Sequence, residues 1–194
     1  MTYLKREDRR HSLVETAARL ALSQGFSAVT ARAVAQEAKT AIGQIHHHFE
    51  SISALKAEAL EMLSTQALAL IESTERAQGP AKWLARLLQL TGVGPEAGFL
   101  QLWAEVAKVH TDDAALQGAC ARCFSAWHHA TVAAIVLGQE AHVYRSDASA
   151  EDAAWRLMAM SVGLDMIGQF GGMLDLSTGA LARHLASAIE RELT

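Results

Sequence analysis

The fold is decided by residues 30–51, which read TARAVAQEAKTAIGQIHHHFES. Thr30 can begin a short helix, because its hydroxyl can accept a hydrogen bond from a backbone N–H of the first turn. Val29 and Val34 have the spacing of a hydrophobic staple around that cap. A tight turn at Lys39, where a left-handed backbone would cost more than it does at glycine, leads to a second helix over about residues 41–48. Two short helices joined in this way are typical of a helix-turn-helix, whose second helix enters the major groove of DNA.

The second helix of this pair has one apolar stripe and one small, polar face. At 100° per residue, Ile42, Ile45 and Phe49 fall within the stripe and are expected to be buried. Gly43 and Gln44 lie on the opposite face. An exposed glycine costs a helix about 1 kcal/mol, which indicates that another surface approaches closely there. The Gln44 amide can bond N6 and N7 of adenine together, so it is the best candidate to read a base.

The rest of the N-terminal region completes a three-helix unit. Apolar spacing predicts a first helix over about residues 6–24, ended by Gly25 in a left-handed conformation. Residues 1–48 carry a net charge of +3 from seven basic and four acidic groups, whereas residues 49–194 carry −7 from ten basic and seventeen acidic groups. A basic unit joined to a larger acidic one indicates that only the first part meets a polyanion.

The spacing of this region resembles the N-terminal signature of the tetracycline-repressor (TetR) family of transcriptional regulators. The positions that carry the resemblance are Gly25-Phe26, Val29-Thr30, Val34-Ala35, Ala38, Gly43, Ile45, His48-Phe49, Ser51 and Leu55. The match covers about residues 10–60 without gaps. The resemblance implies a ligand-responsive regulator, most often a repressor, that binds palindromic operator DNA as a homodimer and is released by a small-molecule effector.

Several residues depart from the family pattern. Lys39, Thr40 and Ala41 stand where Gly, Val and Ser are usual, His46 replaces a phosphate-contacting Tyr, and Ile52 replaces a phosphate-contacting Lys. Lys56, one turn further, is a candidate to reach the same phosphate. The residues expected to contact DNA are Thr30, Arg32, Thr40, Ala41, Gly43, Gln44, His46, His47 and Lys56. Consecutive helical histidines point 100° apart, so we expect no metal site in the run 46–48.

The amino-acid composition and the positions of helix-ending residues predict that the whole chain is all-α. The 194 residues include 38 alanines and 24 leucines but only two prolines, which favours helix. Helices are expected over about residues 53–75, 80–90, 95–109, 112–137, 149–170 and 177–193. With the first three they give about nine. The seventh helix of the chain is expected to be capped by Asp112 and ended by Gly138, and Ser149 and Ser177 are expected to begin the last two. The predicted domains are a DNA-binding domain at residues 1–50 and a sensing and dimerisation domain at residues 51–194.

The apolar pattern of the last two helices indicates that the chain forms an oligomer. Residues 157–170 are apolar nearly all round, and such a helix must be covered on all sides. In the resembled family these two helices of each subunit form the dimer interface, and the homodimer is expected to use them here. The resemblance also implies an effector pocket, while a plainly packed core stays the alternative. Its candidate residues are Phe99, Trp103, His110, Phe124, Trp127, His128, Met158, Asp165, Met166 and Gln169.

The remaining features exclude other classes or stay open. No apolar run is long enough to span a membrane, and nothing resembles a signal peptide, so a cytoplasmic protein is expected. We expect no cofactor, no metal and no enzyme activity, because carboxylate-bridged metal patterns, phosphate loops and nucleophile elbows are absent from the sequence. Two alternatives remain: a DNA-binding regulator without an effector, and a helical enzyme. A redox or metal role for Cys120 and Cys123 stays open.

Overall fold

The computed structural model describes residues 6–88, 113–168 and 177–194. These residues form eight α-helices and two short 3-10 turns, and none of them lies in a β-strand. The helices are α1 (Arg6–Gln24), α2 (Ala31–Glu37), α3 (Ile42–His48), α4 (Ile52–Glu75), α5 (Pro80–Leu88), α6 (Ala114–Glu140), α7 (Ala150–Gly168) and α8 (Thr178–Leu193). The all-α prediction is confirmed, and the helix expected over residues 95–109 lies outside the described residues.

The chain divides into two compact units. The first takes in Met1–Gln66 and Gly92–Phe124, and the second takes in Ala67–Thr91 and Ser125–Thr194. Helices α4 and α6 therefore each have one part in the first unit and one part in the second. The functional boundary expected after residue 50 stays a prediction.

The first unit is held by an apolar core contributed by each of its helices. Leu13 of α1, Val34 of α2, Ile45 of α3 and Leu55 of α4 are at most 1% exposed. Burying one such side chain contributes about 1.5–3 kcal/mol relative to leaving it in water. This core fixes the short helices α2 and α3, which are too short to be stable alone.

The predicted helix ends of the first unit are largely confirmed. The Thr30 hydroxyl accepts from the Ala33 N–H at 3.1 Å, and Lys39 has the left-handed φ of 50° that its place in the turn requires. Gly25 has a positive φ of 84°, but its ψ of 164° is not helical, because a 3-10 turn begins at Phe26 directly after it.

The second unit packs α5, the later part of α6, α7 and α8 together. Leu84 and Leu87 of α5, Ile135 of α6 and Leu157 of α7 are at most 1% exposed. Ser149 and Ser177 cap α7 and α8 as predicted, since their hydroxyls accept from the N–H groups of Asp152 and Ala180 respectively. Leu181, Leu185 and Ala188 of α8 are buried.

One expectation about α6 is wrong, and another concerns a residue outside the described ranges. The helix does not end at Gly138 but continues to Glu140, because Gly138 is where the Tyr144 ring packs against the helix. A Cβ at Gly138 would lie 2.1 Å from Cδ2 of Tyr144, so this glycine serves a close approach instead of a helix stop. Asp112, the expected cap, lies outside the described residues, and the Asp113 carboxylate caps α6 by accepting from the N–H groups of Ala115 and Leu116, each at 3.1 Å.

Candidate nucleic-acid interface

Helix α3 is anchored by one side and open on the other. Ile45 is 1% and Phe49 4% exposed, so these two side chains fix the helix to the unit. Gly43, Gln44, His46 and His47 are all exposed. A Cβ built on Gly43 would meet nothing within 4 Å. The exposed face is therefore small and polar, with room for another molecule to come against the backbone.

Ile42 does not belong to the buried stripe, and this part of the prediction is wrong. The side chain is 45% exposed. A helical side chain covers the turn that precedes it, and Ile42 is the first residue of α3, so it has no preceding turn to cover. The helix is consequently held by two anchors instead of three.

Four other expected DNA-contacting residues lie at the start of α2, on α2 and directly before α3. Arg32 on α2 and Ala41 before α3 are exposed, and Thr40 is half-buried. Thr30 is exposed, although its hydroxyl already accepts from Ala33.

His48 differs from its two neighbours in the histidine run. It is half-buried, and its Nδ1 is buried without a hydrogen-bond partner among the described residues. Burial lowers the pKa of His48, and His47 and the guanidinium groups of Arg6, Arg10 and Arg9 lower it further. Both effects favour the neutral form of the His48 imidazole.

Arg10 connects three elements of the first unit. Its guanidinium makes a two-pronged ion pair with the Glu58 carboxylate on α4. The same guanidinium carbon lies 4.8 Å from the centre of the Phe49 ring, at the end of α3. A cation over an aromatic face is attracted by about 0.5–1 kcal/mol at a partly exposed site. Arg10 thus holds the end of α3 against α1 and α4, a role that the sequence analysis missed because residues 10 and 58 are far apart in the chain.

Lys56 has a neighbour that the sequence did not reveal. The side chain is half-buried, and burial lowers its pKa while the carboxylate of Asp113 opposes that change. Asp113 itself accepts a hydrogen bond from Ser53, and the pKa of its carboxyl lies below the usual value, first because of that bond. The expected phosphate contact of Lys56 stays a prediction.

The candidate effector residues of the second unit are engaged in different contacts. Trp127 is buried and donates its Nε1–H to the Leu87 carbonyl at 2.9 Å. His128 is also buried, and its ring stacks on Trp155 of α7 with 4.2 Å between ring centres. His128 Nε2 is 3.4 Å from Oε2 of Glu151. Adjacent residues of α6 thus connect to α5 on one side and α7 on the other.

The other candidates are spread over both units. Phe124 is half-buried and falls in the first unit. Met158 is buried, Met166 is 59% exposed, and burial raises the pKa of the half-buried Asp165. The remaining four, Phe99, Trp103, His110 and Gln169, lie outside the described residues.

The two cysteines are free thiols that are partly or fully buried. Cys120 is half-buried and Cys123 is buried. Burial raises the pKa of Cys120, and it raises the pKa of Cys123 to about 11 against the hydrogen bond from Ser64. A thiol is a poor nucleophile and metal ligand until it is deprotonated. Within the described ranges, no group of three or more His, Cys, Asp or Glu side chains could hold a metal ion.

The fold and the open face of α3 define the class of this molecule, a helix-turn-helix protein. Residues 13–59 match the sequence model of the bacterial regulatory proteins of the tetR family. This match confirms, for the N-terminal region, the resemblance to that family which the sequence indicated. No helix among the described residues is long and apolar enough to cross a membrane.

Solved structures share the fold over nearly the whole chain. A transcriptional regulator from Saccharomonospora viridis, crystallised in complex with choline, is 26% identical with a TM-score of 0.76, over 96% of this chain and 98% of that one. A protein from Rhodococcus sp., described as a TetR-family transcriptional regulator, is 23% identical with a TM-score of 0.77, over 96% and 98%. The reduced form of NemR from E. coli is 18% identical with a TM-score of 0.71, over 96% and 98%. No curated protein matches the sequence.

Proposed function

We propose that this protein binds palindromic operator DNA as a homodimer, and that a small-molecule effector releases it, so that it acts as a repressor. The observation that carries the proposal is the outer face of α3. Gly43 leaves the helix backbone uncovered there, and the side chains of Gln44, His46 and His47 are exposed on the same helix. A surface of this kind suits the floor of a major groove, into which a recognition helix must fit closely.

The proposed contacts divide into two groups. Gln44 reads a base, while Thr30, Arg32, Thr40, Ala41, His46, His47 and Lys56 lie against the sugar-phosphate backbone or the groove wall, and Gly43 permits the approach. Phosphate contacts position a protein on DNA, and base contacts select the sequence.

Selection of DNA from a random-sequence pool tests this division. The wild-type chain is expected to enrich one palindromic sequence. The Gln44→Ala variant should bind that sequence more weakly and discriminate less at one position of each half-site. The Lys56→Ala variant should bind all sequences more weakly and to a similar extent. The slope of its log affinity against log salt concentration should be smaller by about one, because one phosphate contact fewer is made. Equal losses on every sequence for both variants would refute the assignment of roles.

The second unit supports the homodimer part of the proposal. Trp155, Met166 and Ile167 of α7 are 52%, 59% and 42% exposed in the single chain. Such side chains, together with α8, would be covered when the last two helices of two subunits form a bundle. A closed twofold dimer is the commonest assembly of this kind. Light scattering should give twice the chain mass of 20.8 kDa, and Met166→Glu should shift it towards one chain mass.

The effector part rests on the buried α6 residues Trp127 and His128, and the choline complex of the Saccharomonospora viridis protein shows that a protein of this fold can be crystallised with a small organic cation. Trp127 is surrounded by protein, so a ligand binding beside it should change its fluorescence. A screen of small molecules by tryptophan fluorescence, followed by a DNA-release assay, separates an effector-controlled regulator from one without an effector. A hit must both change the fluorescence and weaken DNA binding.

A further inference from the structure

Helix α3 carries one large apolar side chain that is exposed. Ile42, the first residue of the helix, is 45% exposed. Among the described residues of the first unit, the only other large apolar side chain that is exposed is Leu22 of α1. The remaining exposed positions of α3 are a glycine, a glutamine and two histidines. The open face of α3 therefore has an apolar component that the polar contacts proposed above do not use.

Ile42 lies in the first turn of α3, beside the uncovered backbone. Successive residues of a helix are about 100° apart, so Ile42 and Gln44 lie on opposite sides of Gly43. A Cβ on Gly43 would meet nothing within 4 Å, which leaves open space between those two side chains. His46, one turn after Ile42, falls on the same side of the helix and is also exposed. The first turn of α3 thus presents an isoleucine on one side and an amide on the other.

The position of Ile42 also fixes where its methyl groups go. A helical side chain leans towards the start of its helix, and Ile42 has no preceding turn to cover. Ala41 before it has an extended backbone and is exposed. Isoleucine is branched at Cβ and stiff at χ1, so little rotamer freedom is lost when its methyl groups are covered. A stiff apolar group at the start of α3 is suited to contact another apolar group at a fixed place.

The major groove of DNA offers one such apolar group. Base edges there display hydrogen-bond donors and acceptors, and the C5-methyl group of thymine is the apolar exception. The N-terminal residues of a helix in the groove are those that reach base edges. An isoleucine side chain can make neither an ion pair with a phosphate nor a hydrogen bond with a base. Its favourable contact in the groove is therefore with the thymine methyl group, because that contact removes apolar surface of both molecules from water.

We infer that Ile42 is a second base-reading residue, whose side chain packs against the 5-methyl group of one thymine in each half-site of the operator. The inference rests on the proposed DNA-binding function and adds a base to its specificity. Because Ile42 and Gln44 lie on opposite sides of Gly43, this thymine belongs to a different base pair from the adenine that Gln44 reads. Thymine selected at that position depends on its methyl group.

Replacing thymine with deoxyuridine tests this contact, because it removes the methyl group and keeps the base pairing and the charge. The probe is the duplex that the wild-type chain selects from a random pool, with one symmetry-related pair of thymines replaced at a time. At one pair the wild-type affinity should fall about fourfold for each half-site, and by more than about tenfold for both. Replacement of the other thymines should change the affinity less than about twofold, as an upper limit for positions without apolar contact.

The Ile42→Ala variant should lose this sensitivity. It should bind the thymine duplex more weakly than the wild type does, and it should bind the thymine and uracil duplexes equally to within about twofold. The Ile42→Val variant, which is still branched at Cβ, should give an intermediate ratio. The ratio compares two duplexes with one protein preparation, so a general loss of stability affects both affinities. Urea denaturation of each variant checks that it is folded.

Two further variants show whether the sensitivity belongs to Ile42. Leu70→Ala is the matched control, because Leu70 is 41% exposed but lies in the second unit, and it should keep the full wild-type ratio. Gln44→Ala should bind both duplexes more weakly and also keep the ratio. Loss of the ratio in Gln44→Ala, with the ratio intact in Ile42→Ala, would overturn the inference.

Methylated cytosine provides the reverse test on the wild-type chain. A cytosine placed at the sensitive position lacks the methyl group, whereas 5-methylcytosine carries it at the same place in the groove. The methylated duplex should bind about fourfold more tightly for each half-site, and Ile42→Ala should not distinguish the two. Indifference of the wild-type chain to uracil at every thymine, or a selected half-site without thymine, would overturn the inference and leave DNA binding intact. A wild-type chain that selects no sequence would refute the DNA-binding proposal itself, and this inference with it.

Discussion

Replacing Gly43 with alanine should raise stability and lower DNA affinity at the same time. A Cβ at this position meets nothing within 4 Å, so the folded chain accommodates it without strain. Alanine restricts the unfolded chain and favours helix, which is worth about 0.5–1 kcal/mol at an exposed helical site. For a chain of this size that gain raises the unfolding midpoint by about 1–4 °C. The same methyl group would occupy the space that DNA needs in order to approach the backbone of α3 closely.

Two measurements on one preparation give the opposing signs. Urea denaturation reports the free energy of unfolding, and fluorescence anisotropy reports the affinity for the selected duplex, which should fall by about tenfold or more. Gly179→Ala is the matched control, because Gly179 is also the second residue of its helix and a Cβ there meets only ordinary contacts, at 3.7 Å and beyond. The control should gain stability to a similar extent. A Gly43→Ala variant that binds the selected duplex as well as the wild type would refute the claim that this face enters a groove.

Three other predictions follow from single contacts. Gly138→Ala should destabilise the fold, because its Cβ would lie 2.1 Å from the buried Tyr144 ring, and overpacking of about 1–3 kcal/mol exceeds the helix gain of about 1 kcal/mol; an unfolding midpoint in urea at or above the wild-type value would contradict this. Asp113→Asn should lower stability most above pH 5 and least below pH 4. The folded-state pKa of Asp113 is lowered, so its contribution to the free energy of unfolding is fully present above its unfolded pKa of about 4 and is lost as pH falls through the folded pKa. If the loss of unfolding free energy in the Asn variant, measured by urea denaturation, does not shrink between about pH 6 and about pH 3, the Asp113 contacts are not the cause. With Cys120 replaced by Ser, Cys123 should react with iodoacetamide at pH 8 far more slowly than it does in urea, because its pKa is about 11 and it is buried; similar rates in both conditions would show that the thiol is accessible.

Local signals in the sequence predicted the frame of the molecule well. The caps at Thr30, Ser149 and Ser177 and the left-handed turn at Lys39 each depend on a few neighbouring residues, so the pattern and the structure agree. The exposed Gly43 was predictable for the same reason, since the angular position on a short helix follows directly from the anchor at Ile45.

The errors and omissions have tertiary causes. Gly138 looks like a helix stop in sequence, but the approach of Tyr144 decides its use. Arg10 and Glu58 are 48 positions apart, and no local spacing relates them. The contact between Ser53 and Asp113 joins the starts of α4 and α6, which are far apart along the chain. Sequence patterns therefore predicted helix α3 but not the side chains that hold it in position.

The most direct test of the central claim is to titrate the selected duplex with the purified wild-type chain and to measure binding by fluorescence anisotropy. The titration is repeated at several salt concentrations and in the presence of random-sequence competitor DNA. A dimeric operator-binding regulator predicts saturation at two chains, or a multiple of two, per duplex, a clear preference over the competitor, and a log affinity that falls linearly with log salt. Saturation at one chain per duplex, or binding that the random competitor removes equally well, would contradict it.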